Sequence, residues 1–220
     1  GANAGAAVEA IDRERTALRQ IAGEGVPRIG EAGQGTASAP ETTFLTADLA
    51  WTGAIRLVDS ISRRPLAAQR IVWLLRLVAE TAEHVAQAGW QHGRLGVDRI
   101  LLTADHRILL FDFAFARPLA RDLGAEPVDR RDFRRLAARL IVGSPALAEQ
   151  VASAVDVRQA LTLVRQARPD LPLPWLVEVL PLVVRPAANE LEAADWTRLV
   201  ATCVGLELMG LRGSLWRTAA

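Results

Sequence analysis

The chain has 220 residues, half of them apolar, which is enough to bury a substantial core and excludes disorder as its default state. A formal net charge of +1 excludes a whole-chain electrostatic pull toward nucleic acid or an anionic membrane surface. All 26 basic residues are arginine and tyrosine is absent, a bias that GC-rich coding explains, so no lysine ammonium is on offer for any chemistry.

Residues 1–10 are small and featureless and read as a frayed start. Ala10–Ala22 places Ile11, Leu18 and Ile21 on a helical stripe, ended by Gly23, Gly25 and Pro27. Val26–Glu31 and Thr42–Leu49 read as short strands around a loop rich in Gly, Ser and Pro. Ala54–Ser62 suggests a short helix. After Pro65, a long amphipathic helix is expected over Leu66–Ala88, with Ile71, Leu74, Leu75, Val78, Ala82 and Val85 facing one way and Gly89 stopping it. Arg99–Thr103 and Arg107–Phe113 form a β-hairpin around Ala104-Asp105-His106. Helices follow at Arg130–Val142, Pro145–Val155, Val157–Ala167, Pro174–Val183 and Glu190–Leu211, with prolines at the joints.

The single cysteine, Cys203, lies in an apolar run and reads as a small buried hydrophobe; no Cys/His cluster has zinc spacing. No signal peptide is visible, and a start at Gly1 suggests a piece cut from something larger. The apolar runs Leu171–Val184 and Leu199–Leu211 are too short or too interrupted to span a bilayer. A cytoplasmic location is expected, with attachment to a membrane-associated parent protein left open.

The segment from His92 to Arg117, HGRLGVDRILLTADHRILLFDFAFAR, carries the most specific pattern. His92, Leu95, Ile100, Leu101 and Leu102 precede a hairpin, which runs into Asp112-Phe113-Ala114. This resembles the catalytic core of the protein-kinase superfamily, in which H-x-D-L-x-x-x-N is followed by a hairpin and D-F-G. Arg94 stands at the place of the catalytic aspartate, and Arg99 at that of the metal-binding asparagine. The resemblance covers about residues 10–142 and is concentrated in His92–Ala116 and Asp132–Leu140. It implies an α+β, mostly helical fold, with a kinase-like large lobe, a truncated small lobe and a helical C-terminal tail. Residues 1–50 would be a flexible start plus a small-lobe remnant, 51–145 the large-lobe core, and 146–220 a helical continuation. It also implies that Glu14 sits near the position that would pair with the missing lysine. Asp132 would tie down the loop backbone, while Asp98 falls at a variable position.

The first three strands and the Gly-rich phosphate loop are absent. The segment between Ala114 and Asp132 is only 17 residues, which resembles the small-molecule side of the superfamily. An arginine at 94 cannot accept a substrate proton, and one at 99 opposes a divalent ion. The expectation is therefore a catalytically inactive kinase-like domain, without cofactor or metal, that binds a partner protein or a neighbouring domain. A homo-oligomer remains open; nucleic acid and direct membrane insertion are not expected. The competing expectations are a diverged small-molecule phosphotransferase and a nucleotide sensor.

Three readings apply to the altered site: Arg94 or Arg99 pairs with Asp112, or the three are solvated remnants, or the arginines bind an anion. Arg130, Arg131, Arg134, Arg135 and Arg139 share helical faces, either as solvated charge or as a dock for an acidic partner. Trp175, Trp196 and Trp216 are core or interface anchors, and with the arginines at 130, 131, 134 and 135 they form the candidate interaction surface. His84 and His106 read as incidental.

Overall fold

The periodicity of the long central helix gives the fold its axis. A computed structural model describes residues 2–34, 43–48, 54–63, 65–119, 128–184 and 196–211. In it α3 runs Ala68–Gln87 and buries Ile71, Leu74, Leu75, Val78, Ala82 and Val85, the stripe its spacing predicts. Gly89 closes the helix with φ +81°, a left-handed conformation that glycine adopts without strain. The chain is a mostly helical α+β protein with small antiparallel sheets.

Before α3 come α1 (Ala2–Ile21), the hairpin of β1 (Arg28–Gln34) with β2 (Thr43–Asp48), β3 (Ile55–Arg56) and α2 (Leu57–Arg63). Two expectations are corrected here. Residues 2–10 are helical rather than frayed, as alanines at 2, 4, 6, 7 and 10 have the highest helix propensity of any residue. Ile55 and Arg56 do not start a helix but pair with Leu102 and Leu101. That pairing is non-local and leaves no local signature.

Beyond α3, β4 (Trp90–Gln91) leads to a loop ending in a 3-10 turn at Val97–Arg99. Then β5 (Ile100–Leu102) and β6 (Ile108–Leu110) form the expected hairpin, shorter than its apolar runs, with β3 on its other side. The hairpin turn is tied by Thr103, whose hydroxyl accepts from Arg107 N at 2.9 Å. A second 3-10 turn covers Phe113–Phe115, and β7 (Arg117–Pro118) pairs with β4.

The remainder is helical: α4 (Val128–Val142), α5 (Pro145–Ala152), α6 (Val157–Ala167), α7 (Leu173–Val179), a 3-10 turn at Leu180–Leu182, and α8 (Trp196–Leu211). Ser144 and Asp156 cap α5 and α6, each accepting a backbone N–H from the first turn. α8 lies along α3, and Arg76 of α3 holds both Glu80 at 2.8 Å and Glu207 of α8 at 2.6 Å.

One cluster of buried side chains runs from Ala17 and Ile21 of α1 through α3, the hairpin and α4 to Leu206 of α8. Buried Arg168 locks its C-terminal part. Its guanidinium donates to Ile141 O (2.7 Å) at the end of α4 and to Leu66 O (2.8 Å) just before α3, and pairs with Asp170. Among the described residues no helix is long and apolar enough to cross a membrane.

Candidate functional site

The loop from His92 to Arg99 is shaped by carboxylates reaching its main chain. Asp129, in the first turn of α4, accepts from His92 N (2.6 Å) through Oδ2 and from Gly93 N (2.8 Å) through Oδ1. Asp132, expected to tie down the loop backbone, sits one helical turn further on and accepts from Leu95 N. The two acids are three residues apart on one helix face, so both meet the loop, but at successive points of it. Burial pushes the Asp129 carboxyl up to about 6 against the pull of its two amide donors. Asp132 is raised in the same direction, again by burial.

Gly93 is required by this arrangement. Its φ is +81°, and a Cβ there would stand 2.1 Å from the backbone oxygen of Phe115. The close approach brings the loop against the 3-10 turn at Phe113–Phe115.

His92 is buried and links the same two segments. Arg94 N donates to Nδ1 (3.3 Å), which puts the ring proton on Nε2, and Nε2 donates to Phe111 O (2.9 Å). Its ring stands edge-on to Phe113 at 4.6 Å between centroids. Burial drives its pKa down to about 4, so the imidazole is neutral at physiological pH.

α1 grips the other side of the turn. Glu14 accepts from Phe113 N (2.9 Å), and Arg13 donates to Ala114 O (3.1 Å). Burial, followed by the nearby Asp112 charge, raises Glu14 while its amide donor opposes the change. The resemblance puts Glu14 near the position that would pair with the missing lysine; in the fold it holds a main-chain amide.

Asp112 has a left-handed backbone (φ 66°, ψ 61°), which asparagine and aspartate tolerate better than most residues. Of the two candidate cations, Arg99 reaches it. Arg99 Nε lies 2.6 Å from Asp112 Oδ2, and Nη1 lies 2.8 Å from Asp98 Oδ2. Nε is sealed from solvent and not aligned for a directed hydrogen bond, so the Asp112 contact is ionic. Arg94 pairs with no acid among the described residues; its guanidinium stacks over the Phe115 ring at 5.0 Å.

Position 94 carries a permanent cation, Asp98 and Asp112 are both engaged by Arg99, and both nitrogens of His92 are used. Among the described residues no group of three or more His, Cys, Asp or Glu side chains is placed to hold a metal ion.

Three members of the candidate interaction surface, Trp175, Trp196 and Arg134, are buried, which puts the two tryptophans on the core side of the expected core-or-interface role. Trp175 is completely buried, and Trp196 is buried edge-on against Phe133 at 5.6 Å. Large rings at helix contacts fill the core instead of facing solvent. Arg134 is buried, while Arg130 is half-buried and lies over Trp196 at 5.3 Å. Arg131 and Arg135 are exposed, and Arg135 pairs with Glu149 at 2.8 Å. Trp216 lies outside the described residues.

His84 is not incidental: its Nε2 meets Ile21 O at 2.7 Å, joining α3 to the end of α1. His106 occupies the hairpin turn, edge-on to Trp73. Asp129, Gly93 and Arg13 were missed by the sequence reading. The pairs Asp129/Asp132 and His92-Gly93 were the available signals, a double acid opening a helix and a glycine inside a motif. No protein-family model matches the sequence, and neither does any curated protein.

Proposed function

We propose that the chain is a kinase-like domain without phosphoryl-transfer chemistry. On this reading it works as a protein-interaction or regulatory module, probing a partner or a neighbouring domain of a larger bacterial protein. The observation that carries the reading is Arg99, ion-paired to Asp98 and Asp112 together. Phosphoryl transfer in this superfamily needs a divalent ion held beside the aspartate of the D-F-G position and a carboxylate base in the preceding loop. Here the aspartate is neutralised by an internal guanidinium, and the base position holds Arg94. Placing Mg²⁺ there would require breaking the ion pair and setting two like charges side by side. The tether from Asp129 to His92 and Gly93 supports a loop that keeps its shape without ligand.

The test is a thermal-shift titration with ATP and ADP, each with and without Mg²⁺, on the wild type and on an Arg94→Asp/Arg99→Asn double variant. A ligand that binds only the native state raises the melting temperature by linkage. The wild type is expected to show no nucleotide-dependent shift. A Mg²⁺-dependent rise of several degrees in the wild type would reject this reading in favour of a diverged phosphotransferase or a nucleotide sensor.

A further inference from the structure

The corner where α1, the 92–99 loop and the 113–117 segment meet sorts its charges into two layers. The inner carboxylates are turned onto main-chain amides: Glu14 on Phe113 N, Asp129 on His92 N and Gly93 N, and Asp132 on Leu95 N. Asp98 and Asp112 share the guanidinium of Arg99. The outer layer is cationic. Arg13, Arg94 and Arg117 are all exposed, and none of them has an ion pair among the described residues. Arg13 donates one N–H to Ala114 O, Arg94 lies over the Phe115 ring, and Arg117 feels the buried Asp129 and the largely buried Asp132 only at longer range.

Phe115 stands among these arginines and is 47% exposed, the one exposed Phe or Trp among the described residues. Its backbone is fixed from several directions. Gly93 packs against its carbonyl, Ala116 N donates to Phe113 O (2.9 Å), and Arg13 holds the carbonyl of Ala114. Ala116 is buried, so Phe115 before it and Arg117 after it both emerge outward. An aromatic ring held rigidly among arginines has the composition of an interface hot spot, and a partner meeting it has no loop to order.

We infer that this surface docks a short acidic peptide segment of a partner protein or a neighbouring domain, its carboxylates on Arg13, Arg94 and Arg117 and an apolar side chain between them covering Phe115. The cations are carried by three separate elements, α1, the loop and β7, which suits several carboxylates spaced along a peptide rather than one small anion. Half-exposed Asp12, beside Arg13 on α1, and half-exposed Asp98, in the loop of Arg94, interrupt the positive surface. A continuous phosphate backbone is thereby disfavoured, in keeping with a formal net charge of only +1. This surface gives the interaction-module reading its partner chemistry and rests on that reading.

The experiment is fluorescence anisotropy of the whole chain with a labelled peptide of aspartates around a central leucine. The controls are the same peptide with asparagine for every aspartate, and a labelled oligothymidylate. The acidic peptide is expected to bind the wild type at least tenfold more tightly than either control, and less tightly as salt is raised. Arg94→Gln/Arg117→Gln changes two exposed side chains and is expected to keep the wild-type melting temperature and lose at least fivefold in peptide affinity. Phe115→Ala is expected to lose binding as well; should it melt early, the arginine pair decides alone. Arg158→Gln, at an exposed position on α6, is expected to bind as the wild type does. Absence of peptide binding to the wild type overturns the inference, as does wild-type affinity in the arginine pair. An equal loss in Arg158→Gln would mean attraction to charge anywhere on the chain, and overturns it too. Tighter binding of oligothymidylate would replace the peptide with a nucleic acid and equally overturn it. No nucleotide enters this titration, so its failure removes the surface and leaves the outcome of the ATP and ADP test untouched.

Discussion

Two buried groups a hydrogen bond apart have opposite pH responses. Asp129 titrates near 6 in the folded chain against 3.8 unfolded, so the stability it contributes is complete below the unfolded value and lost as pH rises through 6. His92 titrates near 4 against 6.5 unfolded, so its contribution is complete above 6.5 and lost as pH falls toward 4. Each is worth about 3 kcal/mol at the limits, and the two slopes oppose each other between roughly pH 4 and 6. Urea unfolding across pH 4–7 is expected to show a steeper rise of stability with pH in Asp129→Asn than in the wild type. His92→Gln is expected to change the slope the other way. Identical slopes in all three proteins would mean that neither group is perturbed as its burial implies. At Gly93 the constraint is steric: Gly93→Ala must adopt a left-handed backbone and displace the Phe115 carbonyl, at a cost of about 2–4 kcal/mol in denaturant unfolding. The position of the loop was legible because His92, Leu95, Ile100 and Asp112 have a distinctive spacing. That Asp129 tethers it alongside Asp132 was not, since both acids open the same helix and only the packing angle of α4 decides what each one meets. The preference of Asp112 for Arg99 over Arg94 was likewise left open. It follows from the 3-10 turn at Val97–Arg99, which the apolar pattern of the hairpin did not reveal.

Helices announce themselves through periodicity, and α3 was legible nearly to its ends for that reason. The two residues of β3 have no period to read, and their strand state is set by Leu101 and Leu102 from far along the chain. The alanines at the start of α1 lack an apolar stripe, yet they lengthen the helix whose later turns place Arg13 and Glu14 on the 113–115 turn. Junctions between elements depend on single polar residues, of which Arg168 is the clearest. It satisfies carbonyls at the end of α4 and before α3, and it is itself neutralised by Asp170. A lysine offers a point charge that cannot span these acceptors as a planar fork does. Arg168→Lys is expected to lose about 2–4 kcal/mol in denaturant unfolding, with a larger loss for Arg168→Ala. A loss below about 1 kcal/mol would show that the junction is held by packing alone.

Across the whole molecule, the buried cluster joins α1 to α8 without a break, so no helix can detach without exposing its neighbours. Unfolding is expected to be a single transition. Tryptophan fluorescence, which reports buried Trp90, Trp175 and Trp196, should coincide with far-ultraviolet circular dichroism across the melt. Separated midpoints would mean that the C-terminal helices form their own cooperative unit. Cys203, deep in α8 with its thiol pushed up to about 12, should stay unreactive toward thiol reagents until the same transition. The tether from α4 has one further consequence. Asp129 and Asp132 grip peptide N–H groups, which every residue except proline supplies, so beyond His92 and Gly93 the loop's course does not depend on the side chains at 94 and 98. Positions 94 and 98 are interchangeable inserts in a fixed mount. A lineage can rewrite what this loop does, one substitution at a time, without once having to refold it.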